Sequence, residues 1–77
     1  MSIIIYSTPA CPFCRQAKSY LEERGFEYTD VNVSSSQEKA YEMVQKSGQM
    51  GVPVIEINGQ MIVGFDKEKI NELLNIK

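Results

Sequence analysis

The sequence has 77 residues, 43% hydrophobic and 23% charged, with a formal net charge of −2. A chain this short is expected to fold as one domain over residues 1–77, burying only ~60% of its unfolded surface, and its apolar content argues against disorder. No long basic stripe is present to hold a phosphate backbone, so nucleic acid is not an expected partner. The stretch Met1 to Pro9 has no basic leader and too short an apolar run for a signal peptide or membrane span. The expected location is therefore the reducing cytoplasm.

The elements alternate in type. Ile3 to Tyr6 is a short continuous apolar run, as in a strand covered on both faces. Pro12 suits the first position of a helix with Cys11 as its N-cap. Phe13, Ala17, Tyr20 and Leu21 then recur at helical spacing, and Gly25 ends the helix. Phe26 to Val33, rich in β-branched and aromatic residues, predicts a second strand. Ser35 with Glu38 reads as a capping box opening a helix whose apolar face includes Ala40, Tyr41 and Val44 and which Gly48 closes. Val54 to Ile57 and Met61 to Val63 are strands joined by the hairpin signal Asn58-Gly59. Asp66 caps a last helix with Ile70, Leu73 and Leu74 on one face. The predicted order is β-α-β-α-β-β-α. The first two strands are expected to be parallel and the hairpin antiparallel, giving a four-stranded mixed sheet with helices on both faces. The four tyrosines, Tyr6, Tyr20, Tyr28 and Tyr41, show no stacking pattern and read as core edge.

The chemistry lies in Cys11-Pro12-Phe13-Cys14. In a reducing compartment, C-x-x-C is more often redox-active or metal-binding than structural. A disulfide across so short a loop removes little entropy from the unfolded chain and would be a poor staple. A zinc site would need two more ligands, and the chain has no other Cys and no His. A thiolate at a helix N-terminus meets backbone N–H groups and a partial positive charge. Cys11 at the cap is thus the expected nucleophile, and Cys14, one turn in and more buried, the resolving thiol. An unperturbed thiol is roughly 3% ionised at pH 7. Raising that fraction lowers intrinsic nucleophilicity by a similar factor, so the larger gain is a better leaving group when a mixed disulfide is resolved. Arg15 and Lys18 lie on the same helix and could add positive potential near Cys11, although such charges are usually solvated. Met43, Met50 and Met61 read as core or rim packing, or as a soft contact surface.

With this motif between a strand and a helix, the chain resembles glutaredoxins and the related glutaredoxin-like redoxins. The likeness covers essentially the whole length and rests on three places: Cys11 to Cys14, Gly51-Val52-Pro53, and Gly64-Phe65-Asp66. It implies a thioredoxin fold, with Pro53 in the cis form facing the active site and Phe13 as an aromatic wall. It also implies that the Val52 backbone pairs with an extended peptide or glutathione. Gly64, Phe65 and Asp66 would receive the γ-glutamyl end of glutathione. Thr8 stands where glutaredoxins commonly carry a Lys near the glycine carboxylate of glutathione, and Gln49 matches a position that helps to hold the same carboxylate. Gly64-Phe65 is also similar to redoxins that take electrons from thioredoxin reductase to serve ribonucleotide reductase.

The implied function is thiol–disulfide exchange on protein disulfides or glutathione mixed disulfides. Glutathione is the implied co-substrate, no metal is expected, and the expected state is a monomer. A reductase-fed hydrogen donor is the alternative. A [2Fe–2S] carrier is a further one, against which Pro12 argues, and a redox-sensing adaptor is another.

Overall fold

Successive side chains of a strand point to opposite faces, and in Ile3-Ile4-Ile5-Tyr6 all of them are apolar. The first strand therefore needs cover on both sides. The computed structural model, which describes residues 2–75, supplies it. The elements follow in the expected order: β1 (Ile3–Ser7), α1 (Pro12–Glu23), β2 (Thr29–Asn32), α2 (Gln37–Ser47), β3 (Val54–Ile57), β4 (Gln60–Val63) and α3 (Lys67–Leu74). The strands form one sheet in the order β2-β1-β3-β4. β1 runs parallel to β2 and antiparallel to β3, and β3 runs antiparallel to β4. This is the thioredoxin-like α/β fold.

Alternation along the strands sorts the core into two layers. Ile3, Ile5, Ile55, Ile57 and Ile62 lie under Ala17, Tyr20 and Leu21 of α1 and Ile70 and Leu74 of α3. Tyr6 and Val54 lie on the other face with Met43 of α2, and Ile4, Val31, Val44 and Met61 pack against them. Each fully buried aliphatic side chain contributes about 1.5–3 kcal/mol relative to exposure, which is how so short a chain holds a sheet between helices. At the hairpin, Asn58 and Gly59 have φ of 50° and 86°. Two consecutive positive values make the type I′ turn that matches strand twist.

Several boundaries differ from the sequence expectation. The second strand is only Thr29–Asn32, because α1's ending claims Phe26. Gly25 turns left-handed at φ 77° and donates to Glu22 O, and Phe26 N–H donates to Leu21 O at 3.0 Å. That is a Schellman ending, and it lays Phe26 on the core beside Tyr28 as loop side chains. The cap of α2 is Ser36, whose Oγ accepts from Lys39 N. Ser35 instead donates its hydroxyl to Asn32 O. The inward stripe keeps Ala40 and Val44 but adds Met43, which packs with Tyr6 and Val54, while Tyr41 faces solvent at 67% exposure. On α1, Cys14 takes the inward place expected for Phe13, which is 60% exposed. The tyrosines are not all edge residues either. Tyr6 is buried, and Tyr20 packs edge-to-face on Phe65 with the Arg24 guanidinium 3.8 Å above its ring.

Candidate active site

Three loops meet at the end of β1. The first leads from Ser7 to α1. Cys11 holds extended backbone at φ −96° and ψ 111°, so its side chain turns back over the first turn as an N-cap. Its amide donates to Thr8 O at 3.3 Å, which fixes the approach to the helix. Pro12 at the first helical position has no N–H to leave orphaned. The Cys14 amide N–H then donates to Cys11 Sγ at 3.1 Å. One of the helix's unpaired N–H groups is therefore spent on the sulfur, as a serine hydroxyl would use it at a conventional cap.

Both cysteines are free thiols. Cys11 is 9% exposed and Cys14 fully buried, as the one-turn offset demands. Burial raises the Cys14 pKa to about 11, with help from its hydrogen bond to Cys11 and the Cys11 charge. Thr8 backbone and the Lys18 ammonium work the other way. Burial therefore holds Cys14 as the neutral thiol at neutral pH. Two of the influences that raise its pKa come from Cys11 itself.

The second loop crosses over the first. Val52 O receives the Cys11 Sγ–H at 3.9 Å, which places the Val52 backbone beside the thiol. The Val52–Pro53 peptide bond is cis and Pro53 is fully buried. Just before it, the Gln49 amide donates to Gly51 O at 3.4 Å, so this side chain folds onto its own loop. The third loop is fastened to the second by Gly64 N–H, which donates to Pro53 O at 2.8 Å. Asp66 caps α3 by accepting from Lys69 N at 3.2 Å.

The residues singled out in the sequence are thus only partly convergent. Thr8, Cys11, Cys14 and Val52 surround the sulfur, and Gly64 adjoins through Pro53. The Phe65 ring packs on the α1–α3 side, 5.7 Å from Tyr20. Phe13, two residues after Cys11, lies on open surface. A cavity of about 310 Å³, lined by Ser2, Ile3, Glu27, Tyr28 and Thr29, opens at the start of β1, the far end of that strand from Cys11. Among the described residues, no three His, Cys, Asp or Glu side chains are grouped as metal ligands. No helix among them is long and apolar enough to cross a membrane.

Sequence reasoning missed one polar cluster. Ser7 Oγ–H donates to Asp30 Oδ1 at 2.6 Å, and Asp30 Oδ2 accepts from Lys18 Nζ at 2.7 Å. Burial acts to raise the Asp30 pKa, but the bonds from Lys18 and Ser7 overcome it and hold the carboxyl below the usual range. The one signal in the sequence was the four-residue spacing of Cys14 and Lys18, which puts them on one helix flank.

A thiol at a helix cap with a second thiol buried behind it can exchange a disulfide with a partner and then close one within the chain. The molecule is thereby a thiol–disulfide oxidoreductase of thioredoxin-like fold. Residues 3–62 match the Glutaredoxin family model, and the chain belongs to the glutaredoxin family. It is 47% identical over 72 residues to an uncharacterized glutaredoxin-like 8.6 kDa protein in the rubredoxin operon of Clostridium pasteurianum, covering 94% of this chain and 96% of that one. It is 34% identical over 65 residues to glutaredoxin 3 of Escherichia coli (strain K12), covering 84% and 78%. Among solved structures it is similar to the glutaredoxin-like protein NrdH-redoxin from Escherichia coli, with a TM-score of 0.82, 33% identity and 95% of each chain covered.

Proposed function

We propose that this chain reduces protein disulfides and glutathione mixed disulfides by a dithiol cycle. Cys11 is the nucleophile and Cys14 the resolving thiol. The observation that carries this reading is the Cys14 N–H directed at Cys11 Sγ at 3.1 Å, with the Cys14 thiol buried behind it. Cys11 thiolate attacks one sulfur of the partner's disulfide. A Cys11–partner bond forms, the partner's own S–S bond breaks, and the leaving thiolate takes a proton. With its sulfur bonded, Cys11 no longer raises the Cys14 pKa through charge or hydrogen bond. Cys14 then ionises more readily and attacks Cys11 Sγ. The internal disulfide closes and the second partner thiolate leaves.

Substrate is held, in this reading, by main chain more than by side chains. The Val52 backbone lies beside Cys11 and offers a short β-like pairing to an extended peptide or to glutathione, and buried Pro53 supports it. Phe13, 60% exposed, supplies an apolar wall for the incoming partner. Gly64, Phe65 and Asp66 form the far side, where the backbone at the start of α3 meets a carboxylate. The dithiol needs no metal and no second subunit, and we assign it to a monomer in the reducing cytoplasm.

A second reading concerns the electron donor. Thr8 carries no charge for the glutathione carboxylate, the Gln49 amide is turned onto Gly51 O, and the Asp66 carboxylate is engaged as a cap. These three observations favour direct reduction by thioredoxin reductase, with ribonucleotide reductase as a recipient. NrdH-redoxin of Escherichia coli, a similar protein, is described as having a thioredoxin-like activity profile. NADPH-coupled reduction of a small mixed disulfide decides between the donors. Turnover with glutathione and glutathione reductase, lost in Cys11→Ser and partly kept in Cys14→Ser, supports glutathione. Turnover with thioredoxin reductase alone, needing both cysteines, supports the redoxin reading. Turnover with neither overturns both.

A further inference from the structure

Ser7 is a polar side chain sealed into the core, at 1% exposure. It shares a sheet face with Ile5, and Ile5 is the register partner of Asp30 on β2. Its hydroxyl therefore meets the Asp30 carboxylate, and the second carboxylate oxygen takes the Lys18 ammonium. Lysine ordinarily extends its ammonium into water. Here the Lys18 side chain is only 21% exposed and its charge is held against the sheet. It lies four positions after Cys14 on α1, so their Cβ atoms are about 5–6 Å apart on one flank.

We propose that Lys18, tethered by Asp30 and Ser7, is a positioning residue for Cys14, its ammonium favouring the thiolate that resolves the mixed disulfide. The idea rests on the assignment of Cys14 as resolving thiol. In the assisted step, the Cys14 proton passes to solvent and the Cys14 thiolate attacks Cys11 Sγ. The Cys11–Cys14 bond forms as the bond from Cys11 to the partner's sulfur breaks, and the partner leaves as thiolate. Among the described residues, the titratable and charged groups acting on Cys14 are Cys11 and Lys18, with the Asp30 carboxylate of β2 behind Lys18. The sheet otherwise faces this flank with apolar side chains and Ser7. Lys18 is the cation that opposes the burial of Cys14. Asp30 keeps it in place, since the same carboxylate is itself anchored from below.

The test is a single-turnover measurement on the whole chain. Cys11 is loaded as a mixed disulfide with a chromophoric aromatic thiol, and release of that thiol by Cys14 is followed from neutral to mildly alkaline pH. Lys18→Gln is expected to slow release about three- to tenfold and to move its pH profile upward, the range for one nearby, partly screened charge. Lys18→Arg keeps the charge and stays within about twofold of the parent, a small fraction of a pKa unit. Ser7→Ala, which loosens the tether without removing a charge, slows release in the same direction by a smaller factor and serves if Lys18→Gln does not fold. In a Cys14→Ser background, release by added dithiothreitol is expected to be indifferent to Lys18→Gln. Equal release from parent and folded Lys18→Gln overturns the proposal, as does an equal slowing in the Cys14→Ser background. A parent that releases nothing overturns the resolving role and the proposal with it, whereas a resolving parent with an indifferent variant overturns the proposal alone.

Discussion

Gly64 N–H donates to Pro53 O at 2.8 Å, so the loop that precedes α3 is bonded to the loop that lies over Cys11. Gly64 makes this bond with φ at 80°, a left-handed conformation, and a Cβ there would meet nothing within 4 Å. The cost of a side chain is therefore conformational and not steric. Gly64→Ala is expected to cost about 1 kcal/mol of stability, the usual penalty of left-handed backbone for an L-residue. Denaturant unfolding of parent and variant measures it. A neutral substitution would mean that this loop relaxes to another conformation without strain.

Two neighbouring positions on α2 should behave oppositely. Met43 is 2% exposed and Tyr41 67%. Met43→Ala is expected to destabilise by about 2–5 kcal/mol through lost packing and the cavity left behind. Tyr41→Ala should stay within about 0.5 kcal/mol. Midpoints of urea unfolding give both values, and a larger loss at Tyr41 would place the helix in another rotation.

This pair also shows where sequence reasoning stopped. The order of elements, strand directions and hairpin turn were legible because each rests on local patterns: Ile3 to Tyr6 as a doubly covered run, Asn58-Gly59 as a turn, Asp66 as a cap. The rotation of α2 was not, because Tyr41 and Met43 both flank Ala40 and Val44 on the helix, and it is packing against Tyr6 and Val54 that selects Met43. The extent of β2 was hidden for a similar reason, since the Schellman ending of α1 draws Phe26 away from a stretch that looks like a strand. At the site, the C-x-x-C pair on its helix start was plain. The Ser7–Asp30–Lys18 cluster was not, since it joins residues from three elements through strand register.

Alkaline pH should weaken the reduced fold in a defined window. The Cys14 pKa rises from 9.0 to about 11 on folding, chiefly through burial. The folded state thus holds a proton that the unfolded state has lost. The associated stability is fully present below pH 9 and disappears as pH climbs through about 11. Tyr28, raised from 10.0 to about 12 by burial and its bond to Glu22, extends the decline upward. Thermal unfolding in reductant at rising pH is expected to show a shallower fall for Cys14→Ser than for the parent across the lower part of that window. Identical slopes would mean that Cys14 titrates alike in both states.

The division of labour between the two thiols is the centre of the account, and covalent trapping tests it most directly. A disulfide-bonded protein is mixed with the reduced chain carrying either Cys14→Ser or Cys11→Ser, and mixed-disulfide complexes are separated without reductant and located by mass. The account predicts a stable complex with Cys14→Ser, joined through Cys11, because the buried thiol that would release it is gone. Cys11→Ser should give little or none, since Cys14 is buried and protonated at neutral pH. Complexes that form through Cys14 in Cys11→Ser, with none through Cys11 in Cys14→Ser, would contradict it.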